Sequence, residues 1–146
     1  MNRVYKVVFA IALALGSNAC FACSCIKSSI QEQYSNAKDV FLGKVVETKL
    51  IIKNQTFDDQ KILDGVDDKV RAILRVSNTF KGKNNAKVRS VLDSVADGAN
   101  CGLGLLTGRE YLIFLSGDDE PISICGGSRL YNEFSDKNLI DQMLSN

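Results

Sequence analysis

The chain has 146 residues, 45% hydrophobic and 24% charged, enough material for one buried core and too little for two independent ones. Its 18 basic and 17 acidic residues nearly balance, so it lacks the basic footprint of a nucleic-acid-binding protein. It contains no histidine, which excludes Ser-His-Asp and Cys-His catalysis and every histidine-based zinc site.

The first 22 residues, MNRVYKVVFAIALALGSNACFA, set Arg3 and Lys6 ahead of an apolar run over 7–15, followed by small and polar residues up to Ala22. This is the three-part layout of a secretory signal peptide. The run is shorter than the roughly 20 residues a membrane-crossing helix needs, and no later segment offers a span. Ala22 with Cys20 fits removal of residues 1–22, which leaves 23–146 as the mature domain with Cys23 at its N-terminus. Cleavage after Ala19, with Ser17 behind it, competes with this. A lipoprotein signal, with the lipid on Cys23 or Cys20, is a third reading. After removal of 1–22 the cysteines are Cys23, Cys25, Cys101 and Cys125, and an even number in an exported chain reads as two disulfides.

Behind the Cys-x-Cys, the segment SSIQEQYSNAK spaces Ile30, Tyr34 and Ala37 for a short helix, with Ser28 or Ser29 as cap and Glu32 nearby to close it. DVFLGKVVETKLII predicts a strand over 40–52. A polar, aspartate-rich connection follows. In VRAILRVSNTF, Val70, Ala72, Leu74 and Val76 alternate with Arg71, Ile73, Arg75 and Ser77, the pattern of a half-buried strand. A turn over 81–85 leads to a further strand in AKVRSVLDS, and a Gly/Asp/Asn loop leads to Cys101. GREYLIFLSG supplies an apolar strand over 110–115. PISIC supplies a short one that can begin at Pro121, because a strand's first residue can spare its donor. The chain closes with a helix in SDKNLIDQMLSN, capped by Ser135, with Leu139, Ile140, Met143 and Leu144 on one face. Five strands with a helix at each end predict a mainly β fold, a small closed or nearly closed antiparallel barrel.

The chemistry on offer is narrow. The acidic stretch 58–68 lacks the alternating ligands and distal glutamate of an EF-hand and reads as a solvated loop. Gly102-x-Gly104 opens no helix of a parallel βαβ unit, so it reads as turn glycines rather than a nucleotide fingerprint. No carboxylate pair stands out from surface charge. A redox dithiol at Cys23/Cys25 needs a lowered thiol pKa and no permanent partner, whereas Cys101 and Cys125 are available as partners. Structural disulfides are the reading, and no cofactor is called for.

Taken in order, Cys23-Ser24-Cys25, DVFLGKVVE, FKGK, CGLGLLTGREYLIFLSG and CGGSRL resemble the tissue inhibitors of metalloproteinases and, more broadly, the netrin-like modules. The resemblance spans residues 23 to about 144. It implies a five-stranded OB-type barrel with flanking helices, and disulfides Cys23–Cys101 and Cys25–Cys125. It also implies a secreted inhibitor, extracellular or periplasmic, that is not itself an enzyme and whose partner is a zinc metalloprotease. The target's zinc would be chelated in trans by the amine and carbonyl of Cys23, with Ser24 in the main specificity pocket and Cys25 and Ile26 along the cleft. Ala99 and Asn100 would form the second contacting edge. The alternative is a secreted or lipid-anchored netrin-like interaction module without inhibitory activity.

Overall fold

Serine capping starts the first described element. The Ser29 hydroxyl accepts the Glu32 amide, and helix α1 runs Ile30–Asn36 as the sequence predicts. The structure, a computed structural model, describes residues 25–26, 28–51, 69–82, 86–94, 101–118 and 120–145. After α1 come β1 (Asp39–Ile51), β2 (Lys69–Lys81), β3 (Val88–Ser94), β4 (Glu110–Leu115), β5 (Pro121–Ile122), a 3₁₀ turn (Ile124–Gly126), β6 (Arg129–Leu130) and helix α2 (Glu133–Leu144).

The strands form one mixed sheet of six in the order β5-β3-β2-β1-β4-β6. Every pairing is antiparallel except β3 with β5, where Leu92 and Asp93 run beside Pro121 and Ile122. This differs from the expected five-stranded antiparallel barrel: β6 is an additional strand, one pair is parallel, and among the described residues no ladder joins β4 to β5 to close the sheet. The residues after Ile122 explain why closure stops. Ser123 takes the amide of Cys125 and turns the chain into the 3₁₀ turn, so the expected strand over 121–125 ends after two residues. At the opposite edge β6 is equally short, because the buried Ser128 hydroxyl takes the Phe114 amide and donates to the Phe114 carbonyl in place of ladder bonds.

Alternation along β4 divides the interior in two. Tyr111, Ile113 and Leu115 join Phe41, Val45, Ala72, Leu74, Val91, Leu105 and Ile122 in one cluster. Leu112 and Phe114 join Ala37, Val40 and Met143 in the other. The first cluster is almost inaccessible to solvent, yet its buried members come only from β1 to β5 and Leu105, with no described helix packed on them. The sheet therefore curls around this core with its own strands. Burying a side chain such as Phe41 or Leu74 there contributes about 2–3 kcal/mol.

The bend is written into the β1–β2 pairing. Register slips leave Ser77 and Phe80 of β2 and Val46 of β1 without a directly opposed residue, and such bulges sharpen the twist. They also change faces: Val76 packs on the first cluster, whereas Phe80, an even number of residues on, packs on the second. Gly43 allows the close approach, since a Cβ there would stand 3.2 Å from the Leu74 Cβ.

The two described α-helices lie on the second face, through Ile30 and Tyr34 of α1 and Leu139, Ile140 and Met143 of α2. The Tyr34 hydroxyl donates to the Phe80 carbonyl, and the Lys81 ammonium donates to the carbonyls of Tyr34 and Ser35, a cation placed at the end of α1 where the helix dipole favours it. Helix α2 starts earlier than expected. Its cap is Asn132 rather than Ser135, because the Asn132 side chain accepts the Phe134 amide while the buried Asp136 carboxylate reaches back to the Asn132 amide. Leu144, expected on the apolar face, is largely exposed.

A buried ion pair ties β1 to β3 across β2. Arg89 of β3 meets Asp39 of β1 at 3.0 Å, with only 10% and 7% of the two side chains exposed, and the guanidinium lies over the Phe41 ring. Removing one partner of such a pair costs about 3–5 kcal/mol, because the other is left buried and charged.

Candidate functional site

The residues singled out from the sequence fall into two groups. Cys25, Ile26, Cys101 and Cys125 are described. Cys23, Ser24, Ala99 and Asn100 lie outside the described residues, as does the acidic stretch 58–68.

Cys25 is joined to Cys125 in a disulfide with Cα atoms 5.2 Å apart, across a sequence separation of 100. Cys125 sits in the 3₁₀ turn, whose C-cap Gly127 adopts the left-handed conformation at φ 101°. A side chain there would be strained, and a Cβ would lie 2.8 Å from the Gln33 Oε1 of α1. The turn therefore seats closely against α1, just where the chain emerges from Cys25. Gln33 also donates to the Ser28 hydroxyl, fastening the two residues ahead of the helix.

Cys101 is brought to the same place by backbone. Its carbonyl accepts the Ile124 amide at 3.1 Å, one residue before Cys125, and Cys101 is itself in a disulfide. The segment 101–109 has no regular secondary structure, yet it is fixed at nearly every step. Asp93, wholly buried at the inward end of β3, takes the Leu103 amide on Oδ1 at 2.9 Å and the Leu105 amide on Oδ2 at 3.1 Å. The Leu106 amide donates to the Tyr111 hydroxyl. The Gly108 amide donates to the Val45 carbonyl, and the Val45 amide to the Arg109 carbonyl. Gly102 is the residue this path requires, because a Cβ there would lie 2.4 Å from the Ser94 carbonyl oxygen.

The outcome is a stapled corner of the molecule. Cys25 and Cys125 are bonded, Cys101 is hydrogen-bonded to the residue beside Cys125, and Ile26 projects from this corner 94% exposed. Ile124, bonded to the Cys101 carbonyl, adds exposed apolar surface there. Among the described residues, no three His, Cys, Asp or Glu side chains gather to hold a metal ion, and no helix is long and apolar enough to cross a membrane. The glycines Gly102 and Gly104 serve the tight path of 101–109, Gly104 with φ 67°.

Asp93 and the Ile124–Cys101 hydrogen bond were not anticipated from the sequence. A signal for Asp93 exists: in VRSVLDS it shares the inward face with Val91, and a carboxylate on an apolar face needs buried donors.

The fold and this corner define a mainly β, disulfide-stapled module with helices on one face of a curled six-stranded sheet. No protein-family model matches the chain, and no curated protein matches it in sequence.

Proposed function

We propose that the protein is an exported inhibitor of zinc metalloendopeptidases, built on a netrin-like, OB-type module and acting through a free amine on Cys23. The observation that carries the reading is the meeting of Cys25, Cys101 and Cys125 at one corner, with Ile26 exposed beside them. Cys25–Cys125 is one of the two disulfides implied by the resemblance, and Cys101 is in a disulfide whose partner lies outside the described residues, a place that the same resemblance gives to Cys23. The sheet order supports the module. β1 is shared by β2 and β4, and the strands enclose their own core, which fits a partly open barrel that departs from the expectation in its parallel β3–β5 pair and in the added β6.

The chemistry follows from what a catalytic zinc offers. Such a zinc keeps one exchangeable position, occupied by the water that attacks the substrate. The α-amine and carbonyl oxygen of an N-terminal cysteine close a five-membered chelate there and displace that water. The metal belongs to the target, so this chain needs no ligand set of its own. On the resemblance, Ser24 then enters the main specificity pocket, Cys25 and Ile26 lie along the cleft, and Ala99 and Asn100, which precede Cys101 in the sequence, supply the second edge. Holding these residues in place beforehand lowers the ordering cost of binding.

A second reading has its own support. A disulfide that closes a loop of this length is warranted by stability alone, so the module can serve as a stapled interaction domain without inhibiting anything. Mass-spectrometric determination of the native N-terminus separates the two. The inhibitory reading requires Cys23 with an unmodified amine, whereas a chain starting at Cys20, or an acylated Cys23, leaves no chelator and only the interaction module stands.

A further inference from the structure

β1 is longer than the strand that covers its outer edge. It pairs with β2 over Val40–Ile51, but with β4 only over Asp39–Lys44, and the Val45 bonds to Gly108 and Arg109 extend that cover by one residue. Beyond Val45, no strand among the described residues pairs with this side of β1, and Val46, Glu47, Thr48, Lys49 and Leu50 are all exposed. The six residues from Val46 to Ile51 present about 20 Å of edge that no described strand covers, a template for another strand.

We infer that this edge pairs with the same edge of a second copy of the chain, antiparallel and centred on Thr48. The sequence VETKL is complementary to itself in that register: Glu47 falls opposite Lys49, Val46 opposite Leu50 and Thr48 opposite Thr48, and the twofold axis makes each unlike contact twice. A charge imbalance within the single chain points the same way. Lys49 stands directly across from Arg71 on β2, like charge against like, and neither takes part in an ion pair among the described residues. In the paired edge, Glu47 of the second copy comes to Lys49 from its open side. An edge lysine ordinarily discourages strand addition, but a glutamate two residues away turns that protection into selectivity for one register and one partner. The pairing unites two six-stranded sheets in one. Because only about five residues pair on each side, the association is a weak one, well below the size of a permanent interface.

Sedimentation equilibrium of the purified protein from about 10 µM to about 1 mM tests this, since that range spans the affinities expected of so small a contact. The mass should rise from monomer toward dimer with concentration. Glu47→Lys, which sets lysine against lysine at both symmetric contacts, should weaken the dimer roughly tenfold to a hundredfold. Adding Lys49→Glu to it restores the opposition with signs reversed, and should return the affinity to within about threefold of the starting value. Both positions are exposed, so the melting temperatures of the variants should stay close to that of the parent. A parent that stays monomeric throughout, a dimer indifferent to Glu47→Lys, or a double variant no better than the single one would each overturn the inference. In the first case the edge serves a different strand or none. The inference does not rest on the inhibitory reading, and its tests do not involve Cys23.

Discussion

Replacing Asp93 by asparagine tests whether a single buried carboxylate holds the loop that carries Cys101. Asparagine keeps the shape and one acceptor oxygen, so one of the two amides, Leu103 or Leu105, can still be satisfied, now by a neutral bond. The other faces an NH₂ group and loses its acceptor beside a wholly buried side chain. Losing a hydrogen bond to a charged group costs about 1.5–3 kcal/mol and leaving a buried donor unpaired costs about 1–3 kcal/mol; these overlap and are partly offset because a neutral side chain is cheaper to bury. A net loss of about 2–4 kcal/mol is expected, a large part of the roughly 5–15 kcal/mol available to a domain and equivalent to a fall in Tm of roughly 10 °C. Urea denaturation of the disulfide-intact variant reads the loss, and hydrogen exchange locates it: the Leu103 and Leu105 amides should lose protection before the β1–β4 ladder does. A change below about 0.5 kcal/mol, within the range of an ordinary surface substitution, or unaltered exchange at both amides, would refute the reasoning.

Replacing both Cys25 and Cys125 by serine opens the loop of separation 100, and should cost about 4–5 kcal/mol on the chain-entropy account, read by chemical denaturation. A loss below about 1 kcal/mol would mean that the disulfide only decorates a corner already fixed by other contacts. The Lys38–Asp118 pair makes a prediction in pH. The hydrogen bond from Lys38, followed by its charge, holds Asp118 below the ordinary aspartate range, and the same bond, followed by the same charge effect, raises Lys38. A depressed carboxyl contributes stability that is present above its unfolded pKa and lost as pH falls through the folded value; a raised lysine contributes stability that is present below its unfolded pKa and lost as pH rises through the folded value. Asp118→Asn should therefore flatten the stability profile slightly at both the acid and the alkaline limb, and NMR titration of the parent should give Asp118 a midpoint below that of ordinary aspartates. An ordinary midpoint contradicts this.

The legible parts of the fold are those decided by local pattern. α1 follows from Ser29, Glu32 and the apolar spacing, and β4 from six residues with the apolar run YLIFL. β2 is readable from the alternation of Ala72 and Leu74 with charged neighbours. What escaped depends on groups distant in sequence. The α2 cap moved to Asn132 because Asp136 reaches back to it, a reciprocal arrangement that Ser135 alone does not signal. The strand expected over 121–125 is cut short by a turn that Ser123 starts, Gly127 completes and Cys125 anchors to Cys25. The parallel β3–β5 pair spans only two residues on each strand, too short to leave any periodicity. At the candidate site, the Cys25–Cys125 disulfide was expected from the resemblance and is present, whereas the seating of Cys101 beside it depends on the Ile124–Cys101 bond and on Asp93, contacts that only the folded chain creates.

The proposed inhibition requires a free amine on Cys23, and one addition to the chain tests it. Inserting a single alanine before Cys23 in the mature protein moves the amine away from the zinc and puts an amide nitrogen in its place, while the folded core and the Cys25–Cys125 disulfide stay as they are. Inhibition of a zinc endopeptidase that the parent blocks should then be abolished with the melting temperature unchanged. A parent that blocks no zinc endopeptidase, or an extended protein that inhibits as strongly as the parent, would contradict the account.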